Sequence, residues 1–282
     1  VECGLLRHED FPADEWASID TRADAKVGEI LNAWKQSVDT RLGEVIGYSE
    51  VTLDNYDSGK RLVRSEETNT GDFAADALYY LFDNLGYAVD VAIMNGGGVR
   101  NKAVSGELSY KSLKDIHTFG NVACLQIVTG QQIKDALEFG SRAVPGELGG
   151  FLQVSRLHYT IDTSVQSTVQ LDEKSVWTGG PTGEYRVSNI EIYDRESKSY
   201  VPLQLDKKYM LAGYNYTLRD LGDGFAMFRG AENVIDYVME DYMVLANYVK
   251  SFPVNSGTGL PTIAADHPIY ANLRGEGRIT IK

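Results

Sequence analysis

An apolar stretch that runs straight into three glycines, Ala92-Ile93-Met94-Asn95-Gly96-Gly97-Gly98-Val99-Arg100, lets a backbone come close to a ligand. Glycine carries no Cβ and tolerates angles closed to other residues, so such a turn is costly unless something uses the clearance. Asn95 and Arg100 supply polar groups beside it. The turn does not match a dinucleotide fingerprint, which needs Gly-x-Gly-x-x-Gly opening a helix, because residues 100–106 read as a loop. No Gly-Lys-Ser/Thr follows, which excludes a P-loop. The glycines alone are equally consistent with a strand ending in an ordinary turn beside a solvated Arg100. Further polar and aromatic residues stand at the ends of other predicted elements: Arg64, Phe119, Asn121, Tyr216 and Asp223. Loops gathered at one edge of a sheet are where ligands usually sit.

Other chemistries find little support. His8, His117, His158 and His267 are scattered singly, without the paired spacing of a metal site. Asp115-Ile116-His117 has the outline of a metal pair but stands alone and reads as coincidence. Cys3 and Cys124 give neither a zinc spacing nor a disulfide framework, which leaves the compartment open. A net charge of −13 argues against nucleic-acid polymers and anionic membranes as partners. Any phosphate must therefore be gripped locally. No apolar run approaches the roughly 18 residues of a membrane span, and the N-terminus lacks a signal-peptide pattern. The segment reads as soluble and without membrane insertion, compatible with a piece of a longer exported chain.

The elements that must position these residues follow from periodicity. Ala23, Val27, Ile30, Leu31, Trp34 and Val38 recur at helical spacing, which predicts an amphipathic helix over residues 20–40 behind an irregular lead-in over residues 1–19. A strand over 44–51, a polar loop over 55–60, a helix over 72–82 and a buried strand over 89–94 come next. A short helix over 110–116, a strand over 122–128 and a helix over 129–138 continue the alternation. From about residue 154 the pattern turns strand-rich: strands over 155–162, 185–193 and 209–214, with a hairpin excursion over 163–184. A polar loop over 216–225 and a final helix over 231–251 follow. Helices segregating from a strand-rich later half predict an α+β fold with mixed sheet layers and packed helices. At 282 residues with 43% hydrophobic content, the chain can fill a sizeable core.

In this order the motifs resemble the C-terminal domain of the metal-dependent 5'-nucleotidase family, which includes UDP-sugar hydrolases and 2',3'-cyclic-nucleotide phosphodiesterases. The residues that carry the resemblance are Arg64 with Thr68-Asn69-Thr70-Gly71, Asn95-Gly96-Gly97-Gly98-Val99-Arg100, Thr118-Phe119-Gly120-Asn121, Gly150-Phe151-Leu152-Gln153-Val154 and Gly222-Asp223-Gly224-Phe225. Each motif alone is weak; five in one order are specific. The resemblance covers about residues 20–282. It implies that residues 41–282 form a nucleotide-binding domain and that 20–40 is a linker helix. The linker would lead to an N-terminal metallophosphatase domain outside this chain, where two divalent metal ions perform hydrolysis.

The resemblance further implies a substrate site made of Arg64, Asn95, Gly97, Gly98, Arg100, Phe119, Asn121, Tyr216 and Asp223. Phe119 and Tyr216 would sandwich a base, Asp223 would accept the ribose hydroxyls, and Arg64 and Arg100 would contact sugar and phosphate. Asn95 and Asn121 would reach the base edge or fix their own turns. No catalytic residue, metal ligand or cofactor is expected within this chain, and an extracellular, cell-wall or periplasmic setting follows from the family.

The sequence departs from the family pattern in two places. Thr118 stands where the family commonly has proline, and the loop from Tyr216 to Asp223 carries one extra residue with Leu221 in place of a glycine. The second change alters the Tyr216 to Asp223 spacing and makes Tyr214 an alternative stacking residue. Lys60 and Arg61 lie where some relatives place another basic contact. A binding module for a nucleoside or sugar, without a catalytic partner, is the rival reading.

Overall fold

The structure, a computed structural model, describes residues 25–282, and the chain divides into two units, residues 1–44 and 45–282. In the first unit α1 (Ala25–Leu42) covers most of the helix expected from Val27, Ile30, Leu31, Trp34 and Val38. The expected lead-in and helix positions 20–24 lie outside the described residues.

The second unit begins with β1 (Val45–Leu53), a small hairpin of β2 (Tyr56–Asp57) and β3 (Lys60–Arg61), α2 (Asn69–Asn84) and β4 (Val91–Asn95). It continues through β5 (Val104–Ser109), α3 (Tyr110–Ile116), β6 (Ala123–Thr129), α4 (Gly130–Ser141), β7 (Leu152–Ser155) and β8 (Leu157–Ile161). Next come a hairpin of β9 (Val169–Leu171) and β10 (Trp177–Pro181), then β11 (Val187–Asp194), β12 (Ser199–Pro202) and β13 (Lys208–Tyr214). The one-turn α5 (Asn215–Leu218), β14 (Glu232–Ile235), α6 (Asp241–Val249), β15 (Thr262–Ile263) and β16 (Ile279–Ile281) follow. The expected α+β class, with mixed sheets and packed helices, is what the chain adopts.

A central sheet in the order β14-β6-β13-β4-β7 organises the unit. Successive side chains of a strand point to opposite faces. Accordingly Ala92 and Met94 of β4, Leu125 of β6 and Ala212 of β13 join one core with α2, α3 and α6. Val91, Ile93, Cys124 and Leu211 join the other, against α4, β8 and β11. A strand covered on both faces reads as an unbroken apolar run, which is why Val91 to Met94 shows no alternation. Two further sheets, β12-β11-β8-β16 and β15-β1-β5, flank this layer.

Local chemistry fixes where the helices start. The Thr68 hydroxyl accepts the Gly71 N–H at the head of α2, and reciprocal capping pairs, Ser109 with Ser112 and Thr129 with Gln132, open α3 and α4.

Several expected boundaries move. The segment 231–251 is not one helix: Glu232, Asn233 and the β-branched Ile235 pair with the edge of β6, and Tyr237 at φ +55° separates that strand from α6. The strand expected over 155–162 breaks at Arg156, φ +61°, so that β7 stays in the central sheet while β8 enters the next. Residues 104–109, within and beyond the expected loop, pair with β1, with Gly106 at φ +76° where the ladder shifts register.

Candidate functional site

Strand direction brings the candidate residues together. β4 and β13 run parallel, Val91 facing Leu211 and Ala92 facing Ala212, so their C-terminal ends open on one edge. β6 and β7 run against them, with Ala123 facing Tyr214 and Leu152 facing Asn95, which puts their N-terminal ends at the same edge. The turn Gly96–Gly98 after β4, residues 119–121 before β6, Tyr216 on α5 after β13 and Gly149 before β7 therefore surround one space. Arg64, from the turn Leu62–Arg64 ahead of α2, and Arg100 complete it. The cleft has a volume of about 520 Å³, and Arg64, Asn95, Gly97, Gly98, Arg100, Phe119, Asn121, Tyr216 and Asp223 all line it.

The three glycines of the turn meet different demands. A Cβ on Gly96 would strike the Val63 carbonyl oxygen, which is backbone and cannot yield. One on Gly97 would lie 3.0 Å from the Gly149 oxygen, and one on Gly98 would meet two side chains, the flexible end of Met94 and, at 3.1 Å, Asn95 Oδ1. The Gly96 N–H donates to Phe151 O and the Gly97 N–H to Gly149 O, each at 2.7 Å, which ties the turn to the head of β7.

Beneath the turn, buried His117 places Nδ1 3.1 Å from the Gly98 carbonyl oxygen. A carbonyl only accepts, so Nδ1 carries the proton. Burial lowers the His117 pKa and keeps the ring neutral. Asp241, also buried, accepts the Asn121 N–H at 2.9 Å, and burial pushes its carboxyl up. These two side chains hold the backbone at Gly98 and at Asn121, and no local motif announces either. Asp115 is exposed while His117 is buried, so the Asp-x-His outline does not bring them together.

The loop before Phe225 takes an unusual path. Leu221 and Asp223 have φ of +56° and +53°, left-handed angles that cost a non-glycine residue roughly 1–3 kcal/mol each. Leu221 thus keeps a conformation that a glycine would adopt freely. The path carries Asp223 back onto Tyr216, whose hydroxyl donates to Oδ1 at 2.9 Å and accepts the Asp223 N–H at 3.2 Å. Asn95 Nδ2 approaches Oδ2 at 3.3 Å. Packing on Gly222 holds the Tyr216 ring, since a Cβ there would overlap it. Tyr216 and Phe119 are 36% and 61% exposed, so both retain accessible ring surface. Tyr214, the alternative stacking residue, is instead buried in the core, with its hydroxyl donating to Asp241 O at 3.3 Å.

Positive charge collects on one side. The Arg100 guanidinium carbon lies 5.6 Å from the Phe119 ring centroid, and Arg61 donates to Val99 O at 2.6 Å. Burial, then the charges of Arg64 and Arg100, lower the Arg61 pKa. Among the described residues neither Arg64 nor Arg100 has a carboxylate within ion-pair distance, and Arg64 Nε is buried without a partner. Lys60 is taken by Glu66 at 2.6 Å. Gly149 is the lining residue that sequence reasoning missed; it stands one position ahead of the Gly150-Phe151 motif. Among the described residues no three His, Cys, Asp or Glu side chains converge as a metal ion requires.

The family model for the 5'-nucleotidase C-terminal domain matches residues 45–230. The chain is 28% identical over 240 residues to the trifunctional nucleotide phosphoesterase protein YfkN of Bacillus subtilis, covering 85% of this chain and 15% of the relative. It is 26% identical to the 5'-nucleotidase of Mus musculus, covering 82% of this chain and 38% of that one. Among solved structures, the 5'-nucleotidase precursor of Thermus thermophilus superposes with a TM-score of 0.68 at 27% identity, over 92% of this chain and 43% of that one. The chain therefore spans well under half the length of these relatives. With the family model matching most of the chain, and the fold and the order of the motifs agreeing with it, the chain belongs to the 5'-nucleotidase C-terminal domain family.

Proposed function

We propose that this domain recognises a nucleoside or nucleotide for a 5'-nucleotidase-type phosphoric ester hydrolase. The observation that carries the reading is the convergence of two accessible aromatic rings, an anchored carboxylate and two arginines without carboxylate partners among the described residues on one cleft of about 520 Å³. That volume suits a ligand of nucleotide size. Phe119 and Tyr216 stack the base, Asp223 accepts the ribose hydroxyls, and Arg64 and Arg100 hold phosphate oxygens. Asn95 and Asn121 face the base edge, while Gly97 and Gly98 let it approach the turn.

Hydrolysis itself belongs, in this reading, to an N-terminal metallophosphatase domain of the parent protein, which binds two divalent metal ions and is joined through α1. Such ions activate water and stabilise charge on the transferring phosphate. The chain alone binds without turnover. Likeness to the cell wall protein Lmo0130 of Listeria monocytogenes, at 25% identity, supports an exported setting.

Calorimetric titration with adenosine, uridine and AMP tests the reading. Saturable binding that is stronger for AMP than for adenosine, and that loses this difference in Arg64→Ala or Arg100→Ala, is the expected result. Failure of all three ligands to bind at millimolar concentration would overturn it.

A further inference from the structure

A second cleft, of about 370 Å³, lies at the other end of β7, where Ser155 leads into Arg156. Its walls include Tyr79, Tyr80, Tyr193, Tyr200 and Tyr248, and Arg156 lies among them. The Arg156 guanidinium carbon lies 4.8 Å from the Tyr79 ring centroid and 4.7 Å from that of Tyr193. Its backbone is left-handed, an uncommon state for a bulky residue, and such strain concentrates at functional positions.

The carboxylates of this cleft already have partners. Asp83 pairs with Arg195 at 2.7 Å, and Asp76 and Glu276 pair with Arg278 at 2.8 Å each. Among the described residues Arg156 has no carboxylate within ion-pair distance and no side-chain hydrogen bond. In a chain with 40 acidic and 27 basic residues, an arginine without an acid beside it is unexpected on charge alone. The same condition marks Arg64 and Arg100 in the first cleft. Ring contacts engage the faces of a guanidinium, whereas its five N–H donors lie in its plane and match the two oxygens of a carboxylate.

We propose that this cleft is a second binding site, which takes a small ligand bearing one carboxylate. The carboxylate meets the N–H edge of Arg156, and the tyrosine rings receive the apolar body of the ligand. Asp76, Asp83 and Glu276 are matched in charge by Arg278, Arg195 and Arg156, so the cleft offers no surplus positive charge for the second charge of a phosphate dianion, and the N–H edge of Arg156 fits one carboxylate. The proposal is independent of the nucleotide reading, since it uses none of the same residues.

The test is an NMR titration of the chain with sodium benzoate, inorganic phosphate serving as the dianionic comparison, followed at the amide signals around Arg156. Benzoate should saturate these shifts in the millimolar range, with phosphate at least about tenfold weaker. Arg156→Gln should weaken benzoate by about tenfold or more, without changing amide signals remote from the cleft. Arg156→Gly suits the left-handed backbone, so it keeps the fold while losing the ligand. Benzoate that fails to saturate at tens of millimolar, that binds the glycine variant as tightly, or that is outcompeted by phosphate overturns the proposal.

Discussion

The hydroxyl of Tyr216 and residue Asp223 clasp each other twice, the hydroxyl donating to Oδ1 at 2.9 Å and accepting the backbone N–H at 3.2 Å. Left-handed backbone at Leu221 and Asp223 folds the intervening loop back, so that the ring and the carboxylate lie adjacent. Burial and the hydrogen bond to Asp223 raise the Tyr216 pKa, which keeps the hydroxyl protonated as a donor.

Tyr216→Phe should retain the ring and remove the clasp. With about 1 kcal/mol for a hydrogen bond, adenosine binding should weaken roughly fivefold. Tyr216→Ala also removes the stacking surface, a further ~1–3 kcal/mol. Calorimetry on both variants separates the two effects, and a phenylalanine variant that binds like the parent would show that the clasp does not aim the carboxylate.

Asp223→Ala tests the sugar contact by comparison of ligands. The parent chain should prefer adenosine to 2',3'-dideoxyadenosine, because an ionised carboxylate accepts from hydroxyls that the second ligand lacks. The variant should bind both with one affinity. Persistent discrimination would assign the ribose contact to another residue.

The convergence of these residues was legible because each motif stands at a strand end, and alternating strand directions return those ends to one edge. Asn95, Phe119 and Asp223 could be named from residue type and neighbouring glycines, and Tyr216 from its place in a polar loop after a strand. His117 and Asp241 could not, since their roles arise from contacts with Gly98 and Asn121 that only the packed sheet creates. The helix expected over 231–251 failed for a related reason. Its apolar content fits either state, and pairing of residues 232–235 with the edge of β6 decided between them. At Arg156 no glycine or proline signals a break, so the strain that splits β7 from β8 is invisible before folding.

Gly96→Ala and Gly98→Ala should differ although the residues are two apart. The first drives a methyl into the Val63 carbonyl and should cost about 1–3 kcal/mol, the scale of overpacking against rigid neighbours. The second meets side chains that can shift, the flexible end of Met94 and the Asn95 amide, and should cost less, about 1 kcal/mol. Urea unfolding of both variants checks the order, and equal losses would mean that the turn shifts as a body.

Asp72 should make stability fall as pH rises. It is fully buried in the first turn of α2, and neither carboxyl oxygen has a hydrogen-bond partner among the described residues. Burial raises its pKa well above the ordinary value; Arg278, 3.8 Å away, opposes this, and the charges of Glu67 and Asp76 reinforce it. Glu67 cannot turn away, because its two oxygens accept the Gly277 and Ile279 N–H groups. A carboxyl whose pKa is higher in the folded than in the unfolded chain favours folding below the unfolded value, near 3.9, and loses that advantage as pH climbs through the folded one. Asp72→Asn has the same shape and no proton to lose. Relative to the parent, the variant should therefore gain stability between about pH 4 and pH 8, as read by thermal melting across that range. Parallel curves for the two proteins would mean that Asp72 is already ionised against Arg278 at the acid end, and the buried neutral carboxyl would have to be abandoned.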